Sequence, residues 1–103
     1  PVAMLYVNGD ATFLRCYNGI TGQSSCAGFS VVRGPFGPGN YNIDFPFDIS
    51  DRYFAVSVQN GAFGPGIGVN FHIRNAVSLG LYSFESDSSD PVFTDRPVVV
   101  IVY

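Results

Sequence analysis

Apolar residues fall on every second position in one short run after another, and turn formers interrupt these runs about every ten residues. A period of two sends successive side chains to opposite faces of an extended strand, so each run has one face to bury and one to wet. That pattern predicts strands, not helices. Val2–Val7 reads as a strand, Asn8-Gly9 as a hairpin turn that tolerates positive φ, and Thr12–Tyr17 as the return strand. Gly28–Arg33 follows, with Phe29 and Val31 on one face. In the run 41–47, Tyr41, Ile43, Phe45 and Phe47 face in, while Asn42, Asp44 and Pro46 face out. Pro46 has no amide hydrogen, so it confines this strand to an edge or ends its pairing. Tyr53–Asn60 carries Phe54, Val56 and Val58 on its apolar face. Val69–Arg74 directs Val69, Phe71 and Ile73 inward and Asn70, His72 and Arg74 outward. Ser78–Phe84 and Pro97–Tyr103 complete about eight strands. The expected fold is all-β: an antiparallel β-sandwich, jelly-roll-like, forming one domain over residues 1–103.

Between the strands lie segments of loop chemistry. Residues 18–25 are polar and glycine-containing, residues 34–39 hold two prolines and three glycines, and residues 48–52 form a connector. Residues 85–95 read as a loop dense in turn formers. The tetrapeptide Phe36 to Gly39 recurs at Phe63 to Gly66, each copy leading into a strand. This repetition is twice-used turn chemistry; it also sets Phe36 and Phe63 on loops as paired candidate recognition aromatics. The last strand does not alternate: Val98 to Val102 is apolar throughout, so both its faces are expected to be buried, one on the core and one on a sheet or a neighbouring subunit.

Charge narrows the partners. Charged residues make up only 13% of the chain, against a typical ~25%, which leaves surface to be covered by another chain. The net charge of −3, from five arginines, no lysine and eight acids, provides no footprint for nucleic acid or an anionic membrane. No run approaches the length of a membrane-spanning helix. The first residue is Pro1 rather than Met, and the chain is read as a fragment of a longer polypeptide.

Candidate chemistry is sparse. Cys16 and Cys26 either pack as free thiols or close a short loop as a disulfide, and the spacing alone leaves both open. His72 is the single histidine, on an outward face beside Asn70 and Arg74, and no nucleophile-elbow motif accompanies it. The acids Glu85, Asp87, Asp90 and Asp95 match no calcium-loop spacing. No enzyme activity, metal or cofactor is expected. Binding is the better prospect: tyrosine and phenylalanine rings stack on sugars, and amides hydrogen-bond to them. Tyr17, Phe36, Tyr41, Tyr53, Phe63 and Tyr82 supply rings, and Asn18, Asn40, Asn42, Asn60 and Asn70 supply amides. The candidate binding residues are Phe36, Phe63, Asn40, Asn60, Asn70, His72 and Arg74.

The order of segments resembles a known family. Val7 to Asp10 precedes a strand. Gly39 to Phe45 is followed by Tyr53 to Val58, a Phe71-His72-Ile73 strand, an acidic stretch containing Asp90-Pro91, and the closing run Val98 to Tyr103. This is similar to the small C-terminal β-domains of bacteriophage tail fibres and virion spikes, whose signature is a Gly-x-Tyr-x-Val-x-Phe strand, a Tyr-x-Val-x-Val strand and a terminal apolar strand. The resemblance implies a homotrimeric, extracellular virion module at a fibre end that binds a host-surface glycan or protein, or registers three chains. The alternative is a monomeric carbohydrate-binding, lectin-like module of a secreted bacterial protein.

Overall fold

The computed structural model describes residues 1–59, 67–87 and 90–103, and among them the chain forms nine strands and no helix. They are β1 (Ala3–Val7), β2 (Phe13–Asn18), β3 (Ser30–Arg33), β4 (Asn40–Asp44), β5 (Phe54–Val58), β6 (Ile67–Asn75), β7 (Ser78–Asp87), β8 (Asp90–Phe93) and β9 (Val98–Val102). Two antiparallel sheets pack as a sandwich. Sheet A has the order β2-β1-β9-β5, and sheet B has β3-β4-β7-β6, with β8 pairing the far half of β7. The chain changes sheet four times, and its first and last strands lie side by side, Leu5 opposite Val100.

The core follows from the alternation. Leu5, Val7, Val98, Val100 and Val102 of sheet A face Tyr41, Ile43, Leu79 and Leu81 of sheet B, all at most 1% exposed. Each such side chain contributes roughly 1.5–3 kcal/mol by leaving water. Phe29 meets Phe45 edge-on at 5.9 Å, closing one end of the core. β4 ends at Asp44, two residues before Pro46. A loop-dense core residue escapes the alternation: Ile49, in the connector 48–52, is fully buried.

Two sequence expectations need correction. In the segment 85–95, residues 85–87 and 90–93 are strand and not loop. β7 runs on to Asp87 and pairs with β8, Glu85 opposite Val92, so the extended flanks win over most of the turn formers. Phe71 and Ile73 point inward by register, opposite Leu81 and Leu79, yet stay 42% and 41% exposed. β6 is an edge strand, and among the described residues Phe54, 5.6 Å from Phe71, is the one ring that reaches across to it from sheet A. β9 buries Val98, Val100 and Val102 on the core face, and Val99 and Ile101 are half-buried on the outer face of sheet A, the side expected to meet a sheet or a neighbouring subunit.

Candidate ligand-binding face

The outer face of sheet B gathers rings that are far apart in sequence. Along β7 the outward positions are Ser78, Gly80, Tyr82 and Phe84, alternating with the core residues Leu79 and Leu81. On β6 the outward residues are Gly68, Asn70 and His72, opposite Phe84, Tyr82 and Gly80 respectively. Two of these pairs set a ring against a glycine. A β-carbon added at Gly80 would meet the His72 imidazole, and one added at Gly68 would meet the Phe84 ring at 2.6 Å. A glycine inside a strand leaves room for a cross-strand ring to lie down on the sheet instead of standing off it.

Tyr82 is the centre of this arrangement. Its ring stacks on His72 at 5.6 Å with 22° between the planes. Phe93 of β8 lies 5.8 Å away, and Phe36 lies 6.3 Å away on the far side. Phe36 is 69% exposed and Phe93 47% exposed, so apolar ring surface stays in water. Asn42, in register with Gly80, and Asn70, in register with Tyr82, border the rings. Neither amide, nor His72, hydrogen-bonds another described side chain. The face thus pairs π-surface with free donors and acceptors.

The loop bearing Phe36 is held by buried polar groups. Asn40 is 2% exposed. Its side-chain amide donates to the Leu81 carbonyl at 3.1 Å, and its Oδ1 accepts from the Phe36 N–H at 3.3 Å. Gly39 adopts φ of 80°, and a β-carbon there would collide with the Ser83 carbonyl, so no other residue fits. The Gly39 N–H donates to Asp95 Oδ1 at 2.7 Å. Arg33 donates to the same oxygen at 2.8 Å, and its second nitrogen reaches the Gly9 carbonyl at 3.2 Å. The Tyr41 hydroxyl lies 2.9 Å from both the Gly9 carbonyl and Asp95 Oδ1, and donates to one at a time. The hydrogen bond from Arg33, with those from Gly39 and Tyr41, holds the Asp95 carboxyl down at about 2 against the cost of its partial burial. Burial, reinforced by the hydrogen bond to Asp95, pushes the Tyr41 phenol up.

The structure therefore divides the predicted binding residues. Phe36, Asn70 and His72 come together around Tyr82. Asn40 is buried away from solvent, a strut under Phe36. Arg74 hydrogen-bonds Ser78 Oγ at 3.0 Å, two residues along β6 from His72 and away from the rings. Phe63 and Asn60 lie outside the described residues. Tyr41 is core, and Asn18 caps the turn after β2 by accepting from Ile20 and Thr21 amides. Cys16 and Cys26 are joined by a disulfide, with α-carbons 4.9 Å apart, which ties β2 to the segment leading into β3. Sequence reasoning missed Phe84, Phe93 and the two glycines. A lone glycine between apolar residues, as in Ile67-Gly68-Val69 and Leu79-Gly80-Leu81, was the available signal for a close approach.

Among the described residues no group of three or more His, Cys, Asp or Glu is placed to hold a metal ion. No protein-family model, curated protein or solved structure matches the chain. What the fold defines is a two-sheet antiparallel β-sandwich with an exposed aromatic face.

Proposed function

We propose that this domain is a recognition module that binds a glycan on the outer face of sheet B, acting as the receptor-binding end of a fibre or spike. The observation that carries the reading is the set of rings laid around Tyr82 and left open to solvent. Sugar rings present C–H faces that stack on aromatic side chains, and the hydroxyls at their edges suit amides such as Asn42 and Asn70. Stacked rings also serve single-stranded nucleic acids, but those sites run along a basic groove. This chain carries a net charge of −3, which favours an uncharged ligand. A binding role suits His72 better than a catalytic one, because its ring is engaged by Tyr82 and, among the described residues, no carboxylate hydrogen-bonds to it. The Cys16–Cys26 disulfide favours an oxidising, extracellular setting.

A lectin-like module would use the same face, so the two readings differ in context and not in chemistry. A glycan array probed with the labelled domain tests the shared claim. Saturable binding to a defined set of glycans, lost in Tyr82→Ala, supports it. Binding that survives Tyr82→Ala places recognition elsewhere.

A further inference from the structure

The opposite face of the sandwich departs from the usual behaviour of antiparallel sheets, whose solvent face is polar. On the outer face of sheet A, Tyr17, Met4 and Ile101 stand in one row across β2, β1 and β9, and Arg15, Tyr6 and Val99 stand in the next. These two rows line a depression of about 350 Å³. That is the lower end of the size of small-molecule sites, which run from ~300 to ~1,000 Å³. Ser24 adds a wall beside β2. The segment carrying it is tied down at both ends. Asn18 and Gln23 exchange backbone hydrogen bonds of 2.8 and 3.1 Å, and the disulfide from Cys16 holds Cys26 just beyond. Little of the site therefore has to be ordered when a ligand enters. Arg15 is the single charged residue that lines the depression. Its guanidinium lies 5.4 Å from the centre of the Tyr6 ring, which covers one face of the group and leaves its N–H edge available. Among the described residues, no carboxylate pairs with Arg15, and the Tyr6 and Tyr17 hydroxyls have no hydrogen-bond partner.

We infer that this depression binds a small amphipathic carboxylate of the medium-chain fatty-acid class, its head on Arg15 and its apolar body laid across β1 onto β9. Charge complementarity selects the head. In a chain of net charge −3 the one charge at this site is positive, and a planar guanidinium donates two parallel hydrogen bonds to a carboxylate. Strand spacing selects the length. Arg15 and Val99 stand two strand steps apart, with Tyr6 between them. Two steps of ~4.8 Å make about 10 Å, close to the length of octanoate. The floor selects the body. Met4, Val99 and Ile101 offer no hydrogen-bonding side chain, so a sugar lying here would leave hydroxyls unpaired, whereas an alkyl chain leaves water. The ring hydroxyls of Tyr6 and Tyr17 stand ready to donate to the same head. This site lies on the face opposite the rings around Tyr82 and does not rest on glycan binding there.

The test is a two-dimensional amide NMR titration of the domain with sodium octanoate, kept below its micelle-forming concentration. The expected result is saturable shifts at Met4, Tyr6, Arg15, Tyr17, Val99 and Ile101, with the amides around Tyr82 unmoved. Arg15→Gln, at an exposed position, keeps the fold, read from an otherwise unchanged spectrum. It weakens octanoate binding by roughly tenfold, as expected for loss of a charge-assisted hydrogen bond. Octan-1-ol, which keeps the chain and lacks the charge, binds more weakly than octanoate by a similar factor. Shifts that do not saturate, or that fall outside the depression, overturn the inference. So does octan-1-ol binding as tightly as octanoate, or an Arg15→Gln variant that binds like the parent. Tyr82→Ala leaves octanoate binding unchanged, so failure of this site and failure of the sheet B site are told apart.

Discussion

The imidazole of His72 lies over the α-carbon of Gly80, close enough that a methyl group there would meet its Cε1 at 2.5 Å, while its flat side stacks on Tyr82. The missing side chain of one strand is thus the seat for a ring from its neighbour. Gly80→Ala should lift His72 off the sheet. The ring is at an exposed face and can swing aside, so stability falls by only about 1 kcal/mol or less. Ligand affinity falls several-fold because the stacked pair is broken. Loss of the ring-current shifts between His72 and Tyr82 in proton NMR checks the geometry directly.

Asn40 should behave as a strut and not as a ligand contact. Asn40→Ala removes the side-chain hydrogen bonds to the Leu81 carbonyl and from the Phe36 amide in a buried site, which costs about 1–3 kcal/mol. Urea unfolding measures this loss. An exposed binding amide would show almost none.

Asp95 makes stability depend on acid. Its folded-state value, about 2, lies below the ~3.9 of an unfolded aspartate, so its contribution is complete above the unfolded value. It fades as pH falls from about 4 through about 2. The partly exposed site is screened by solvent, which reduces the effect to about 1–2 kcal/mol. Urea midpoints against pH should show Asp95→Asn less stable than the parent at pH 7, with the two converging near pH 2.

The disulfide should contribute through the unfolded chain. Closing the loop between Cys16 and Cys26 limits the freedom of that segment and stabilises by ~2–3 kcal/mol in the chain-entropy model. Adding a reductant should lower the unfolding free energy read from urea titrations by that amount. A Cys16→Ser, Cys26→Ser double variant should be insensitive to reductant.

Much of the fold was legible because alternation is a local signal. Tyr41, Ile43 and Phe45 could be assigned to the core from their spacing alone, and the structure buries all of them. Where burial depends on a neighbour's position, the signal fails. Phe71 and Ile73 have the right phase, but β6 is an edge, and no sequence window shows where a sheet ends. Glu85 to Asp95 reads as loop by composition, yet the pairing of β7 with β8 holds residues 85–87 and 90–93 extended. The binding face was legible in its parts and not as a whole. Phe36 and His72 could be named from the sequence, but what joins them is Tyr82, and that depends on the register of β4, β7 and β6. Asn40 shows the same limit: an asparagine in a turn looks the same in sequence whether its amide faces water or is buried.

The central claim is that the rings around Tyr82 form the binding surface. Its most direct test is a two-dimensional amide NMR titration of the domain with an oligosaccharide selected on the array. The account predicts saturable shifts at Asn42, Asn70, His72, Tyr82 and Phe93, with affinity falling by roughly tenfold in Tyr82→Ala, about what one ring contact is worth. Shifts confined to sheet A or to the far loops, with these residues silent, would contradict it.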